Sequence, residues 1–532
     1  GRYPRGRNTD WMEQPFTMPK WFNTAGPCQA DIHYTLSPTV RLPELRRLID
    51  QRNYFVIHAP RQVGKTTAML ALAQELTDSG AYVAVMLSLE VGASFPHDPQ
   101  QAERVILSEW QQSLRFRLPE TLRPTEWPTP DSSAQISTLL SSWAATAQRP
   151  LAIFLDEVDA LSEETLVFVL RQLRSGYPNR PQGFPHSLGL IGMRDVRDYK
   201  IKSGGSDRLN TSSPFNIKVE SLTLKNFSFE EVKTLYQQHT EATGQIFTPE
   251  AIQHAFYLTD GQPWLVNALA RQATEFLVEE VTQPITIGVI EQAKEILIQR
   301  QDTHLDSLVE RLQETRVKRI IEPILASQDL NNPPWDDIQY VLDLGLCSNK
   351  GGGLAIANPI YREVLPRCLA ASTTVGLGYV QPTWLSETGE LRPEQLLAAF
   401  LDFWRQHGQP LLQNFDYHEI APHLVLMAFL HRVVNGGGSL EREYAIGSGR
   451  MDLCLRYGEV TLGMELKVWR EGKPDPLGKG LEQIDKYLAG LGLETGWLVI
   501  FDRRPNLPPL EERTTTESAV SPGGRSIVVI RA

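Results

Sequence analysis

Cysteine is scarce in this chain: four among 532 residues, at Cys28, Cys347, Cys368 and Cys454, far apart and with no CxxC pair. That spacing excludes a zinc ribbon or a disulfide framework and suits a reducing cytoplasm. No apolar run approaches the roughly 20 residues a membrane-spanning helix needs, so no membrane partner is expected. The first residues, GRYPRGRNTDW, are basic but lack a following apolar core, so a signal peptide is not expected either. Positive charge is not in excess. A formal net charge of −11 argues against binding a polyanion over the whole surface, though it leaves room for a local basic patch. The histidines lack ligand spacing, and His423 and His431, flanking an apolar helix, read as packed or exposed residues.

What is present is organised around HAPRQVGKTT, His58 to Thr67, between an apolar run (Tyr54 to Ile57) and a helix-prone segment. Strand, tight loop and helix make a phosphate cradle of a Gly-Lys-Thr string. Backbone N–H groups and the helix N-terminus surround the phosphates, the Lys reaches the β/γ oxygens, and the hydroxyl ligates Mg2+. The cradle spans Ala59, Pro60, Arg61, Gln62, Val63, Gly64, Lys65, Thr66 and Thr67, with Lys65 on phosphate and Thr66 on the metal. ATP with Mg2+ is therefore the expected cofactor pair. Ala59 stands where such loops usually open with Gly, so the loop must turn without that freedom.

Further on, LAIFLDEVDAL is an apolar strand ending in two carboxylates. Asp156 is the expected metal residue and Glu157 the expected base for the attacking water. The strand Leu188 to Gly192 runs into MRDVRDYK, whose Arg194, with Arg197 in reserve, is placed to sense the γ-phosphate. A fifth strand is expected over Ile217 to Leu222. From Phe227 the pattern turns helical, with a capping box at Ser228 to Glu231 and a Thr248-Pro249 cap. Helices then lead to a glycine-tipped hairpin, LGLCSNKGGGLAIANP, the order of a winged helix, a fold used for DNA binding and equally for packing.

With HAPRQVGKTT, FLDEVDAL, LIGMRD and GQPWL in this order, the first 370 residues resemble the AAA-like ATPases of the signal-transduction class (STAND, archaeal-ATPase type). The resemblance implies a P-loop core, a helical lid and a winged helix, with Arg194 as sensor and Pro263 of the lid touching the nucleotide. It also implies a switch that trades ADP for ATP, and a homo-oligomer.

Residues 372–395 carry Gly, Thr and Pro without periodicity and read as a linker. Two apolar helices follow, Leu396 to Trp404 and Ala421 to Val434. Then EREYAIGSGRMDLCLRYGEVTLGMELKVWR gives two alternating strands about a Tyr457-Gly458-Glu459 turn. A hairpin centred between residues 458 and 459 sets Asp452 opposite Glu465, and period two puts Lys467 on the face of Glu465. Two carboxylates and an ammonium converging at a sheet call for a divalent cation, with the Lys orienting the water that attacks a phosphodiester. Trp497 to Asp502 and Ser526 to Ile530 supply later strands.

This segment resembles the PD-(D/E)XK nuclease superfamily, which implies a metal site of Asp452, Glu465 and Lys467. LEQIDKYLAGL matches the QxxxY helix of one branch, so Gln483 and Tyr487 are expected at the site or the substrate. An acid from the first helix completes such sites; Glu419 is the first choice and Glu443 the second. Met451 replaces the usual Pro. The expected chain is α/β: a P-loop NTPase parallel sheet with helical lid and winged helix, followed by a restriction-endonuclease-like α/β domain. Its boundaries are an arm at 1–40, core 41–225, lid 226–300, winged helix 301–371, linker 372–395 and nuclease-like domain 396–532. The expected function is an ATP switch coupled to a Mg2+- or Mn2+-dependent nuclease on nucleic acid, DNA before RNA, in defence or mobile-element biology by analogy. Two alternatives stand beside it: a nucleotide switch whose C-terminal domain binds without cutting, and a DNA remodeller or transposition helper that binds through the winged helix.

Overall fold

In the computed structural model the chain divides into two units, residues 1–297 and 298–532. The structure describes residues 19–60, 63–130, 132–192, 201–202, 209–210, 220–300, 308, 310–326, 330–376, 381–414, 420–435, 437–443 and 452–532.

In the first unit, α1 (Pro38–Arg41) and α2 (Glu44–Asp50) lead into β1 (Tyr54–His58) and α3 (Lys65–Asp78). There follow β2 (Val83–Ser88), α4 (Pro99–Arg117), α5 (Gln135–Thr146), β3 (Leu151–Asp156), α6 (Glu163–Gly176) and β4 (Ser187–Gly192). A two-stranded ladder, β5 (Ile201–Lys202) with β6 (Leu209–Asn210), precedes β7 (Glu220–Thr223). The main sheet has the order β2-β3-β4-β1-β7 with every pairing parallel. Helices on both faces explain why these strands read as unbroken apolar runs rather than alternating ones. Val56, Val85 and Ile153 pack one way, with Trp110 and Trp143, while Phe55, Ile57 and Phe154 pack the other way, against Met69, Leu72 and Leu76.

The lid follows as α7 (Phe229–Thr243), α8 (Pro249–Thr259), α9 (Pro263–Arg271) and α10 (Ile287–Arg300). Ser228 and Glu231 make both bonds of the capping box, and the Thr248 side chain caps α8. Between α8 and α9 the chain turns through Asp260 and Gly261, both left-handed, and Phe227 donates its N–H to the Gly261 carbonyl at 2.8 Å. The arm packs on this lid: Tyr34 Oη lies 3.2 Å from His239 Nδ1, and Trp264 Nε1 donates to the Thr24 carbonyl at 2.9 Å.

In the second unit, α11 (Thr315–Leu325) and α12 (Trp335–Asp343) precede the hairpin β8 (Cys347–Lys350) and β9 (Gly353–Ile356), then α13 (Pro359–Gly376). Residues 381–392, expected as linker, include Trp384, buried with its ring 5.9 Å from that of Phe429. Helix α14 runs Pro393–Asn414, past the expected end at Trp404, and α15 covers Ala421–Val434. A Cβ on Gly408 would lie 2.9 Å from Leu510 and 3.3 Å from Trp404, so that glycine marks close packing inside the helix. The remaining elements are β10 (Gly438–Glu443), β11 (Asp452–Tyr457), β12 (Val460–Trp469), α16 (Leu477–Leu491), β13 (Thr495–Asp502), α17 (Leu510–Arg513), β14 (Thr515–Val520) and β15 (Ser526–Arg531). They form a mixed sheet of order β10-β11-β12-β13-β15-β14, parallel only across β12, β13 and β15. On one face Trp404 and His423 pack on Phe501; on the other, Ile484 and Leu488 of α16 pack on Leu498 and Ile500. Among the described residues no helix is long and apolar enough to cross a membrane.

Candidate functional site

The phosphate loop joins β1 to α3. Its positive φ falls at Gly64 (91°), which caps α3, whereas buried Ala59 is not left-handed; alanine is therefore tolerated at the start of the loop. Ala59 donates its N–H to the Gly192 carbonyl at 3.2 Å, which ties the loop to the tip of β4. Lys65 Nζ donates to the carbonyls of Ala59 (2.6 Å) and Pro60 (2.8 Å), placing the ammonium at the opening of the cradle.

Opposite it, Thr66 Oγ1 donates to Asp156 Oδ2 at 2.8 Å, and the Glu157 N–H donates to Asp156 Oδ1 at 2.9 Å. Burial raises the Asp156 pKa, and the Thr66 hydrogen bond opposes the rise. Glu157 sits beyond the strand end with φ 59°, a left-handed conformation that costs a non-glycine residue energy. Partial burial first, then the charges of Asp156, Asp159 and Glu90, push its carboxyl up to about 7.

Further contacts join this loop to the arm and to α1. The Cys28 N–H donates to Thr67 Oγ1 at 3.0 Å, and Arg41 Nη1 donates to the Val63 carbonyl at 3.1 Å. The Arg41 guanidinium, nearly buried, also pairs with Glu231 of α7 at 3.2 Å and lies 4.6 Å over the Phe227 ring. Sequence reasoning missed Arg41, because one cation on a one-turn helix carries no pattern. Pro263 occupies the first turn of α9 and is buried. Arg61, Gln62, Arg194 and Arg197 lie outside the described residues.

No family model and no curated protein matches the chain. Among solved structures it is similar to a Walker-type ATPase of Pyrococcus abyssi, at 11% identity over 65% of this chain and 99% of that one, with a TM-score of 0.45. It is also similar to RuvB, a Holliday junction branch migration motor of Thermotoga maritima, at 13% identity over 62% and 92% of the two chains, TM-score 0.34. Cdc6p of Pyrobaculum aerophilum gives 12% identity over 63% and 92%, TM-score 0.33. The first unit's own sheet order, with a Gly-Lys-Thr loop between β1 and α3, makes it a P-loop α/β fold.

In the second unit the backbone register gathers acidic residues into one row: Glu443 pairs with Asp452, and Asp452 pairs with Glu465, across β10, β11 and β12. Neighbouring strands lie ~4.8 Å apart. Glu465 is fully buried, and Lys467 Nζ contacts its Oε1 at 2.7 Å. Gly463 lies on the same face, and a Cβ there would meet Leu488 at 2.7 Å and Tyr487 at 3.5 Å, so α16 lies directly over the row. Gln483 lies one helical turn before the buried Tyr487. Glu419 is outside the described residues, as are the side chains of Glu443 and Asp452. Among the described side chains no three His, Cys, Asp or Glu form a metal cage.

Both sets of donors suit Mg2+, a hard cation that takes oxygen ligands: a hydroxyl and a carboxylate in the first site, and a buried carboxylate in the second. Helix α12, which precedes the hairpin, opens with Asp336 and Asp337 and carries no Lys or Arg.

Proposed function

We propose that the protein binds and hydrolyses ATP in its first unit and couples that cycle to a metal-dependent nuclease in its second. The ATPase half is supported by the Thr66–Asp156 hydrogen bond with Lys65 at the loop opening. Lys65 holds the terminal phosphate oxygens, Thr66 and Asp156 would hold Mg2+, and Glu157 accepts the proton of the attacking water. Bound Mg2+ supplies charge neutralisation at the transferring phosphoryl group. Arg194 as γ-phosphate sensor and Pro263 as a nucleotide contact belong to the same proposal. So does a homo-oligomer.

The nuclease half is carried by one observation, the row of Glu443, Asp452 and Glu465 beside Lys467. Asp452 and Glu465, with Glu443 or Glu419, would hold Mg2+ or Mn2+. The cation supplies Lewis-acid polarisation of a phosphodiester. Lys467 orients the water, and Gln483 and Tyr487 face the same site from α16. DNA is the proposed substrate and defence against foreign DNA, or mobile-element biology, the proposed setting. Binding DNA through the winged helix has less support, because α12 offers no Lys or Arg to a phosphate and its Asp337 is paired with Arg319 at 2.8 Å.

The test is incubation with plasmid, linear and single-stranded DNA and with RNA, with and without ATP and Mn2+, for wild type, Asp452→Ala and Lys467→Ala. Metal-dependent cutting lost in both variants is the expected result. Cutting that survives both substitutions removes the nuclease assignment.

A further inference from the structure

The alternation that puts Glu465 and Lys467 on the α16 face of β12 puts Trp469 there too, where it packs with Leu477 and Leu481 against the core beneath α16. Residues two apart on a strand are separated by ~6.8 Å, so this indole stands immediately beyond Lys467. The Arg504 guanidinium lies 3.5 Å over the Trp469 ring. A fork holds it there: Arg504 Nε and Nη2 donate to the Asp502 carboxylate at 2.9 and 2.7 Å, and the Arg504 N–H donates to Asp502 Oδ1 at 3.2 Å. The strand ends are fixed as well, since the Arg503 N–H donates to the Trp469 carbonyl at 2.9 Å and Trp469 Nε1 donates to the Lys473 carbonyl at 3.0 Å.

This arrangement is more constrained than a surface ion pair needs to be. An exposed cation–π contact and an exposed ion pair each contribute little to stability. Yet two side-chain hydrogen bonds and an aromatic shelf fix one side chain that is still 36% exposed. The fork engages Nε and Nη2 and leaves Nη1 with no hydrogen-bond partner among the described residues. A second guanidinium, Arg531, lies 5.8 Å from the same ring, held by Asp475 at 2.8 Å and Glu517 at 3.2 Å. A flat, pre-oriented guanidinium with one amino edge to spare is suited to a phosphate oxygen, because little side-chain freedom remains to be lost on contact.

We infer that Arg504, positioned by Trp469 and Asp502, binds a backbone phosphate of the nucleic-acid strand next to the one held at the carboxylate row. The inference rests on the nuclease reading and deepens it. The contact serves the polymer and not the chemistry, so it distinguishes a nucleic acid from a small phosphodiester that reaches only the carboxylate row.

The experiment uses the full chain as wild type, Arg504→Ala, Arg504→Lys and Trp469→Leu, with melting temperatures showing that each folds. Cleavage of a labelled oligonucleotide is followed across a salt series, beside hydrolysis of bis(p-nitrophenyl) phosphate and direct binding of the oligonucleotide without divalent metal. Arg504→Ala is expected to raise KM and Kd for the oligonucleotide ~10-fold, and to reduce the slope of log K against log salt by ~1, with kcat and small-diester hydrolysis unchanged. Arg504→Lys restores the slope but only part of the affinity, and Trp469→Leu weakens binding in the same direction. Unchanged affinity and slope in Arg504→Ala overturn the inference, whether or not the wild type cuts. If the wild type cuts nothing yet binds in an Arg504-dependent way, the nuclease reading fails and the phosphate contact stands.

Discussion

Thr66 gives its hydroxyl hydrogen bond to Asp156, 90 residues away in the chain, at 2.8 Å. The helix tip and the strand end are thus joined, which in the proposed ATPase preassembles two oxygen ligands for the cation. Replacing Thr66 with Ala removes one of them. The expected outcome is Mg-ATP affinity lower by ~10-fold, about 1.4 kcal/mol, with metal-free ADP binding far less affected. Calorimetric titrations with Mg2+ and with a chelator check it.

Glu157 carries the pH prediction for the ATPase. With its pKa raised to about 7, the carboxyl is protonated below that pH and could not serve as the proposed base for the attacking water. The kcat/KM for ATP should therefore fall as pH drops through about 7 and level off above it. Glu157→Gln should bind ATP but lower kcat by ~100-fold or more, and its residual rate should lack that acid limb. A limb of unchanged midpoint in the Gln variant would assign the titration to another group.

Much of this geometry is legible in the sequence because periodicity is local. The buried strands of the first unit announce themselves as apolar runs, and the Asp452–Glu465 pairing follows from counting about a tight turn. Other parts leave no local trace. Strand β14, TTESAV, is an edge strand with five of six residues exposed, so it shows no buried alternation. Strand β10 shows no run that marks its pairing with β11, so the register that sets Glu443 beside Asp452 leaves no local trace either. Arg41 meets Val63 and Glu231 only through the tertiary fold.

Gly261 tests the turn between α8 and α9. Its φ is +73°, and a Cβ there would stand 1.9 Å from the Phe227 carbonyl oxygen, a backbone atom that cannot step aside cheaply. Gly261→Ala should cost ~3 kcal/mol, from left-handed strain plus the collision. Gly244, with φ +81° and nothing within 4 Å, is the control: Gly244→Ala should cost only the strain, ~1 kcal/mol. Denaturant midpoints of the two variants separate the contributions.

Acid stability of the lid should depend on Glu291. The hydrogen bond from His254 first, and then Lys294 at 2.7 Å, hold its pKa down at about 2 against an ordinary 4.5. A depressed carboxyl stabilises the fold fully above the unfolded value and stops doing so as pH falls from 4.5 towards 2. Glu291→Gln should lower the melting temperature at neutral pH and leave a shallower decline between pH 4.5 and 2. Thermal melts across that range measure both effects.

The carboxylate row makes a prediction that needs no knowledge of the substrate. Glu465 is fully buried and Lys467 Nζ lies 2.7 Å from its Oε1, so replacing Lys467 takes away a positive charge paired with a buried carboxylate. Such a loss costs about 3–5 kcal/mol, which should appear as a large drop in melting temperature for Lys467→Ala. If the row is a cation site, Mg2+ or Mn2+ at a hundred times Kd stabilises the wild type by about 2.7 kcal/mol and so raises its melting temperature. The same cation should recover part of the loss in Lys467→Ala, because it neutralises the carboxylate that the ammonium no longer covers. Asp452→Ala with Glu465→Gln should melt at one temperature with or without the cation at the second unit's transition. A metal-induced shift that persists in that double variant would place the cation elsewhere and leave the buried pair as a structural ion pair alone.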